Sequence, residues 1–168
     1  MNAIELSRDL RTNSDPLLRR RRGIVALVMT ASASMGLIAL YQMGIVRHLP
    51  EPKLPKFDAD KVDASEEAYS YFSTPDAVLG LGSYAVTIGL AALDGSDRAR
   101  RRPWIPLALL GKVLIDATQA ARLTRDQWTK HKAFCFWCLL AATATFATVP
   151  LAAAEARLAI RQVARRFQ

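Results

Sequence analysis

Three uncharged apolar stretches constrain this chain more than anything else in it: Gly23 to Ile45, Ala77 to Leu93, and Ala133 to Ala154. Crossing the roughly 30 Å hydrocarbon core of a bilayer takes about 20 helical residues. The first and third stretches reach that length alone, and the second does once Pro75 and Asp76 lead it in. A fourth segment, Trp104 to Ala121, is weaker because Lys112 and Asp116 interrupt it. In a small soluble domain, helices this long and charge-free would have to be buried on every side. The pattern therefore predicts an all-α, polytopic membrane four-helix bundle with spans at about 23–45, 75–93, 104–121 and 133–154. The mean hydropathy of +0.09 averages these spans with heavily charged flanks.

Lysine and arginine placement sets the expected orientation. Arg8, Arg11 and Arg19 to Arg22 precede the first span. Arg98, Arg100, Arg101 and Arg102 lie between spans two and three, and Arg157, Arg161, Arg165 and Arg166 follow span four. The opposite side carries fewer: Arg47, Lys53, Lys56, Lys61, Arg122, Arg125, Lys130 and Lys132. Both termini are thus expected in the cytoplasm, with residues 1–22 an N-terminal tail, loose or surface-lying over 1–18, and 155–168 a basic C-terminal tail around the bundle at 23–154. Arg19 to Arg22 with Ala31-Ser32-Ala33 would also suit a cleaved signal peptide, but the apolar run continues to Ile45 and favours an uncleaved anchor. The net charge of +8 then reflects this bias and attraction to membrane lipid. No folded basic domain is left over for nucleic acid. Abundant Ala and Arg and the loop charges suit a bacterial cytoplasmic (inner) membrane.

The segment from Val46 to Thr74 lies on the outer side in this topology. Pro50, Pro52 and Pro55 make its first part extended. Asp63-Ala64-Ser65-Glu66 resembles a helix start, predicting a short helix over about 65–73 that lays Tyr69 and Phe72 on the bundle as a lid. Thr74 is the expected N-cap of span two, with Pro75 at its first position. In span one, Ser32 and Gly36 form a small-xxx-small pair suited to close helix approach. In span three, Lys112 and Asp116 stand four apart on one face, as an internal ion pair, a proton path or a polar contact to a ligand. Trp128 anchors the last outer connector at the membrane interface.

The chemistry concentrates at Phe134-Cys135-Phe136-Trp137-Cys138, which holds both cysteines of the chain. Three residues apart at the start of a helix, the two thiols share a face and can close a disulfide. The helix N-terminus and the neighbouring Lys130, His131 and Lys132 would favour a thiolate. A c-type haem site is excluded, because Leu139 stands where the histidine must follow. A structural zinc site would need His48 and His131 to join the cysteines. Two thiols packed simply as small apolar side chains remain the other alternative.

Four spans, an outer loop after the first, Pro75, Gly80 and Tyr84 entering the second, and Cys135-x-x-Cys138 opening the fourth together resemble the vitamin K epoxide reductase family. The resemblance covers about Gly23 to Ala154. It implies a four-helix bundle around a quinone (ubiquinone or menaquinone), reduced by electrons from a thioredoxin-like periplasmic partner. It also implies that Cys135 exchanges with thiols, that Cys138 faces the quinone, and that Asp76, Gly80 and Tyr84 border it. Asp76 stands where some relatives place an Asn that hydrogen-bonds a quinone carbonyl. The chain departs from the pattern in lacking the cysteine pair of the first outer loop, in carrying Ser73-Thr74 before Pro75, and in carrying Ala142 where some relatives have a Tyr. Two readings follow: a quinone-dependent thiol-disulfide oxidoreductase, or a non-catalytic accessory subunit of a larger membrane complex.

Overall fold

A computed structural model describes residues 2–70 and 72–166. Seven α-helices are formed: α1 Ala3–Thr12, α2 Pro16–Gln42, α3 Ala59–Asp63, α4 Asp76–Ala92, α5 Arg98–Arg101, α6 Trp104–Asp126 and α7 Phe136–Arg166. A 3-10 turn over Glu66–Tyr69 follows α3, and a π-helical turn over Gln127–His131 follows α6. Among the described residues the extended pairing is limited to one bridge, Phe57 to Phe134.

The four long helices make a bundle in which α2 packs on α4 and α7, and α6 packs on α7 and α4. Its middle is filled by Ile24, Val28, Leu109, Val113, Ala141 and Ala152. Small side chains on α7, Ala141, Ala144 and Ala152, are buried where it packs on α2 and α6. Among the described residues two helices are long and apolar enough to cross a membrane, α2 with an 18-residue stretch of mean hydropathy 2.0 and α7 with one of 1.7. The apolar α4 is shorter, and Lys112, Asp116 and Gln119 lower the hydropathy of α6.

Local chemistry explains several boundaries that differ from the sequence expectation. Asp15 accepts the N–H groups of Leu17 and Leu18, with Pro16 at the first helical position, so α2 begins seven residues before its apolar run. Gly44, at φ +74°, closes α2 by returning its N–H to the Tyr41 carbonyl. Thr74 does not cap α4. Pro75 occupies the N-cap without a side-chain bond, while the Thr74 hydroxyl donates to Phe72 O. The close approach expected at Gly36 is absent, since nothing lies within 4 Å of a Cβ built there. The tight contacts are at Gly23 against Leu151 and Gly80 against Met35, both at 3.3 Å.

The first residues are not loose. Asn2 and Glu5 form a reciprocal capping box that starts α1. Asp9 accepts the Ser96 N–H at 2.6 Å, tying α1 to the α4–α5 connector. At the other end, α7 continues beyond the apolar run to Arg166, while residues 167 and 168 of the expected tail lie outside the described residues.

Two buried arginines close the C-terminus of α4. Arg21 donates to the carbonyls of Ala91, Leu93, Asp94 and Gly95. Arg98 donates to Leu90, Ala91 and Leu93 and holds Glu155 with a two-point pair at 2.8 and 2.7 Å. The last carbonyls of a helix have no intrahelical donor. Here two guanidinium groups supply one, and a cation suits the negative end of the helix dipole.

The connector between α2 and α4 is a strap across the end of the bundle. Of the short helix expected over about 65–73 a single 3-10 turn forms, at Glu66–Tyr69, and an α-helix precedes it at Ala59–Asp63, started by Asp58, whose carboxylate accepts the Lys61 N–H. Glu51 accepts the Ala59 N–H, and Asp60 accepts the Leu49 N–H and pairs with His48. The bridge to Phe134 and the bond from Trp137 Nε1 to Pro50 O fasten the strap to the start of α7. Tyr69 reaches Gln42 O through its hydroxyl, while Phe72 is 90 % exposed.

Candidate active site

Cys135 immediately precedes α7 and its sulfur accepts the Cys138 N–H at 3.2 Å, the bond a helix-capping side chain makes to the third residue of the helix. This is why the two sulfurs sit together: the cap places Cys135 over the first turn that carries Cys138. The Cys135 N–H is in turn held by Gln127 Oε1 at 3.0 Å. Both cysteines are free thiols. They differ in access. Cys135 has no exposed surface, being packed with Leu49, Ala59 and Val62 of the strap, whereas Cys138 is half-buried.

The strap brings a carboxylate to this pair. Asp63, the last residue of α3, accepts the Cys138 S–H at 3.3 Å on Oδ1, while its Oδ2 is buried without a partner. One carboxylate oxygen and both sulfurs lie within 4.8 Å of one another. Burial pushes the Asp63 carboxyl up from its usual 3.8 to about 6. Hydrogen bonds from Cys135 and Cys138 oppose the rise, and the charges of Asp76 and Glu51 add to it.

A cavity of about 360 Å³ opens beside Cys138, within the range of small-molecule sites. Met35, Ile38, Leu79 and Ala142 supply apolar wall, and Asp63, Asp76, Gly80 and Tyr84 also line it. Of the residues expected at the site, Cys138, Asp76, Gly80 and Tyr84 therefore meet in one cavity, and Cys135 stands behind Cys138. A side chain at Gly80 would press on Met35 at 3.3 Å, so the bare backbone there keeps the wall open.

The polar groups are oriented by neighbours. Gln42 Nε2 donates to Asp76 Oδ1 at 2.7 Å and to the Asp63 carbonyl at 3.3 Å, while its Oε1 accepts the Ala77 N–H. One amide thus locks the strap to the start of α4. Tyr84 OH lies 2.8 Å from Thr145 Oγ1. Thr145 spends its single proton on the Ala141 carbonyl, so Tyr84 is the donor in that pair and offers the cavity only lone pairs. Lys112 and Asp116 do form the internal ion pair, at 2.6 Å, with Ser83 and Thr87 completing the cluster.

The expectation of a positive field at the thiols is overturned for Lys130 and His131. The basic connector does not surround the thiols: Lys130 pairs with Glu67 and Asp126, and His131 faces Glu67. The ionisable side chain at the sulfurs is acidic. The two-cysteine, two-histidine zinc set is not assembled either, since His48 binds Asp60. The donors within reach of one metal ion are Asp63, Cys135 and Cys138. Asp63, Gln42 and Gln127 escaped the sequence reading. Asp63 looked like a helix start, and no local spacing links it to residues 75 positions away.

A family model described as the vitamin K epoxide reductase family matches residues 22–153. No curated protein and no solved structure matches the chain.

Proposed function

The chain belongs to the vitamin K epoxide reductase family, and we propose that it is a quinone-linked thiol-disulfide oxidoreductase working through Cys135 and Cys138. The observation that carries this reading is the opening of the Cys138 thiol onto the apolar cavity of about 360 Å³. Its family and its two long apolar helices make it a membrane protein. We place it in a bacterial cytoplasmic membrane with four spans and both termini in the cytoplasm. Exposed apolar side chains on all four long helices, including Met29, Val86, Ile115 and Phe146, support a lipid-facing belt around the bundle.

The lining fits a quinone: its surface is mostly apolar, Gly80 stands in the wall, and polar side chains including Asp76, Tyr84, Gln119 and Arg122 border it. When bound, a quinone supplies an acceptor for two electrons and two protons. The residues do the rest. Cys138 presents its sulfur to the cavity, and Cys135, held against it by the helix cap, closes the S–S bond as the two S–H bonds break. Gln42 turns Asp76 so that one carboxylate oxygen stays committed and the other borders the slot. A thioredoxin-like dithiol outside the membrane restores the two thiols, becoming a disulfide itself. The direction follows the potential gap, about 1.4 kcal/mol per 30 mV. Because Cys135 is covered, a protein donor must lift the strap, whereas a small dithiol can enter beside Cys138.

The test is quinone reduction by the purified protein in detergent, driven by a small dithiol, with Cys138→Ala as control. Cysteine-dependent turnover is expected, and equal turnover by the variant would refute the reading. The burial of Cys135 beneath a strap that carries no cysteine favours one other reading, an accessory subunit of a membrane complex. That version requires stable co-purification with other membrane subunits and no quinone turnover.

A further inference from the structure

We propose that Asp63 is the catalytic base and acid of this dithiol, taking the proton of Cys138 and delivering it to the electron acceptor in the adjoining cavity. The inference rests on the quinone-linked reading and names a residue that this reading does not require.

The geometry is specific. Asp63 Oδ1 is already the acceptor of the Cys138 S–H, so the first proton transfer needs no rearrangement. Oδ2 is buried without a partner, although a fold usually satisfies such an atom. The same carboxylate lines the cavity beside Cys138. It therefore touches the donor sulfur on one side and the acceptor space on the other. The strap is held in this position by Gln42, which binds the Asp63 carbonyl, and by Glu51 at the start of α3. These two fastenings seat the carboxylate over the two thiols.

The balance closes in two rounds. Asp63 takes the Cys138 proton as that sulfur becomes a thiolate, and passes it to one oxygen of the quinone. Cys135 then bonds to the Cys138 sulfur, and its proton leaves by the same carboxylate to the second oxygen. Two S–H bonds break, one S–S bond forms, and two electrons and two protons reach the quinone. A carboxyl raised to about 6 exchanges protons near neutral pH, as this task demands. The charged or titratable groups around it are Cys135 just before α7, Cys138 in α7, Asp76 of α4, Glu51 of the strap and Tyr41 of α2, and the cavity it lines is also bordered by Glu67 and by Asp116 and Arg122 of α6.

The experiment compares the full-length protein with Asp63→Asn and Asp63→Glu in detergent, from pH 5 to 8, by two readouts. The first is dithiol-driven reduction of a short-chain ubiquinone. Asp63→Asn is expected to lower kcat by about 100-fold or more, to leave the quinone KM within about twofold, and to abolish the limb near pH 6. Asp63→Glu should recover part of the rate with a displaced limb. The second readout is the rate at which diamide closes the Cys135–Cys138 disulfide, which involves no quinone. It should rise through the same limb in the native protein and lack it in Asp63→Asn. Wild-type rates and profiles for Asp63→Asn in both assays would overturn the proposal. If the native protein reduces no quinone, the functional reading falls, and the diamide profiles alone decide on Asp63. Should Asp63→Asn fail to fold, a displaced limb in Asp63→Glu supports the role and an unmoved one overturns it.

Discussion

Asp63 also governs how firmly the strap is closed, and the sign of the effect is opposite to that of most carboxylates. An aspartate at 3.8 in the open chain and about 6 when folded keeps a proton in the folded state that the open state has lost. Between about pH 4 and pH 6 the folded state binds more protons, so stability falls as pH rises. Above that window the cost levels off at about 3 kcal/mol, at about 1.4 kcal/mol for each pH unit. Asp63→Asn is neutral throughout. It should match the native protein near pH 4 and exceed it by up to about 3 kcal/mol at pH 8, less whatever the amide loses in replacing the bond from Cys138. In a chain of this length that is a rise of roughly 6 °C or more in Tm. Thermal unfolding in detergent, followed by tryptophan fluorescence, reads the strap directly because Trp137 is bonded to Pro50 O. Parallel curves for the two proteins from pH 4 to 8 would show that Asp63 is not held in a costly charged state, and the linkage argument would fail.

Removing Glu155 strands Arg98, whose guanidinium has no exposed surface. Glu155→Ala should therefore cost about 3 kcal/mol or more in thermal or denaturant unfolding, and a smaller loss would mean that the α4 carbonyls alone satisfy the arginine. Gly80→Leu should fill the cavity wall against Met35, abolishing quinone turnover while diamide still closes the disulfide; loss of both would point to misfolding instead. Tyr84→Phe removes one hydrogen bond to Thr145, worth about 1 kcal/mol of stability. The quinone KM should stay within about twofold, and a tenfold rise would show that the Tyr84 proton is free to serve the quinone. Lys112→Met should be more destabilising than the double change Lys112→Met with Asp116→Leu, since the single variant leaves a half-buried carboxylate with only Ser83 and Thr87; a double variant worse than the single would contradict this.

What could be read in the chain itself was whatever depends on residues close in sequence. Uncharged apolar runs marked α2, α4 and α7, and the weaker run marked α6, because the helical repeat makes burial a local property of spacing. The i,i+4 spacing brought Lys112 to Asp116, and the i,i+3 spacing brought Cys138 to Cys135. Asp76, Gly80 and Tyr84 stand four apart on one helix, so their meeting at a cavity wall followed from the same periodicity.

Tertiary structure decided the rest, because it joined residues that no repeat connects. Arg21 and Arg98 counted as surface charges by composition, yet both are buried as caps on α4, since the ends of a helix need donors wherever the fold can provide them. Whether the first residues were loose or surface-lying was open in the sequence, and the bond from Ser96 to Asp9 decided it. The sharpest case is the charge at the thiols. Neighbouring basic residues in sequence implied a positive field, but Lys130 turns to Glu67 and Asp126 and His131 to Glu67, while the strap carries Asp63 onto Cys138. Spacing along a helix sets which thiols face each other, and only closure of the strap over the bundle sets which charge faces them.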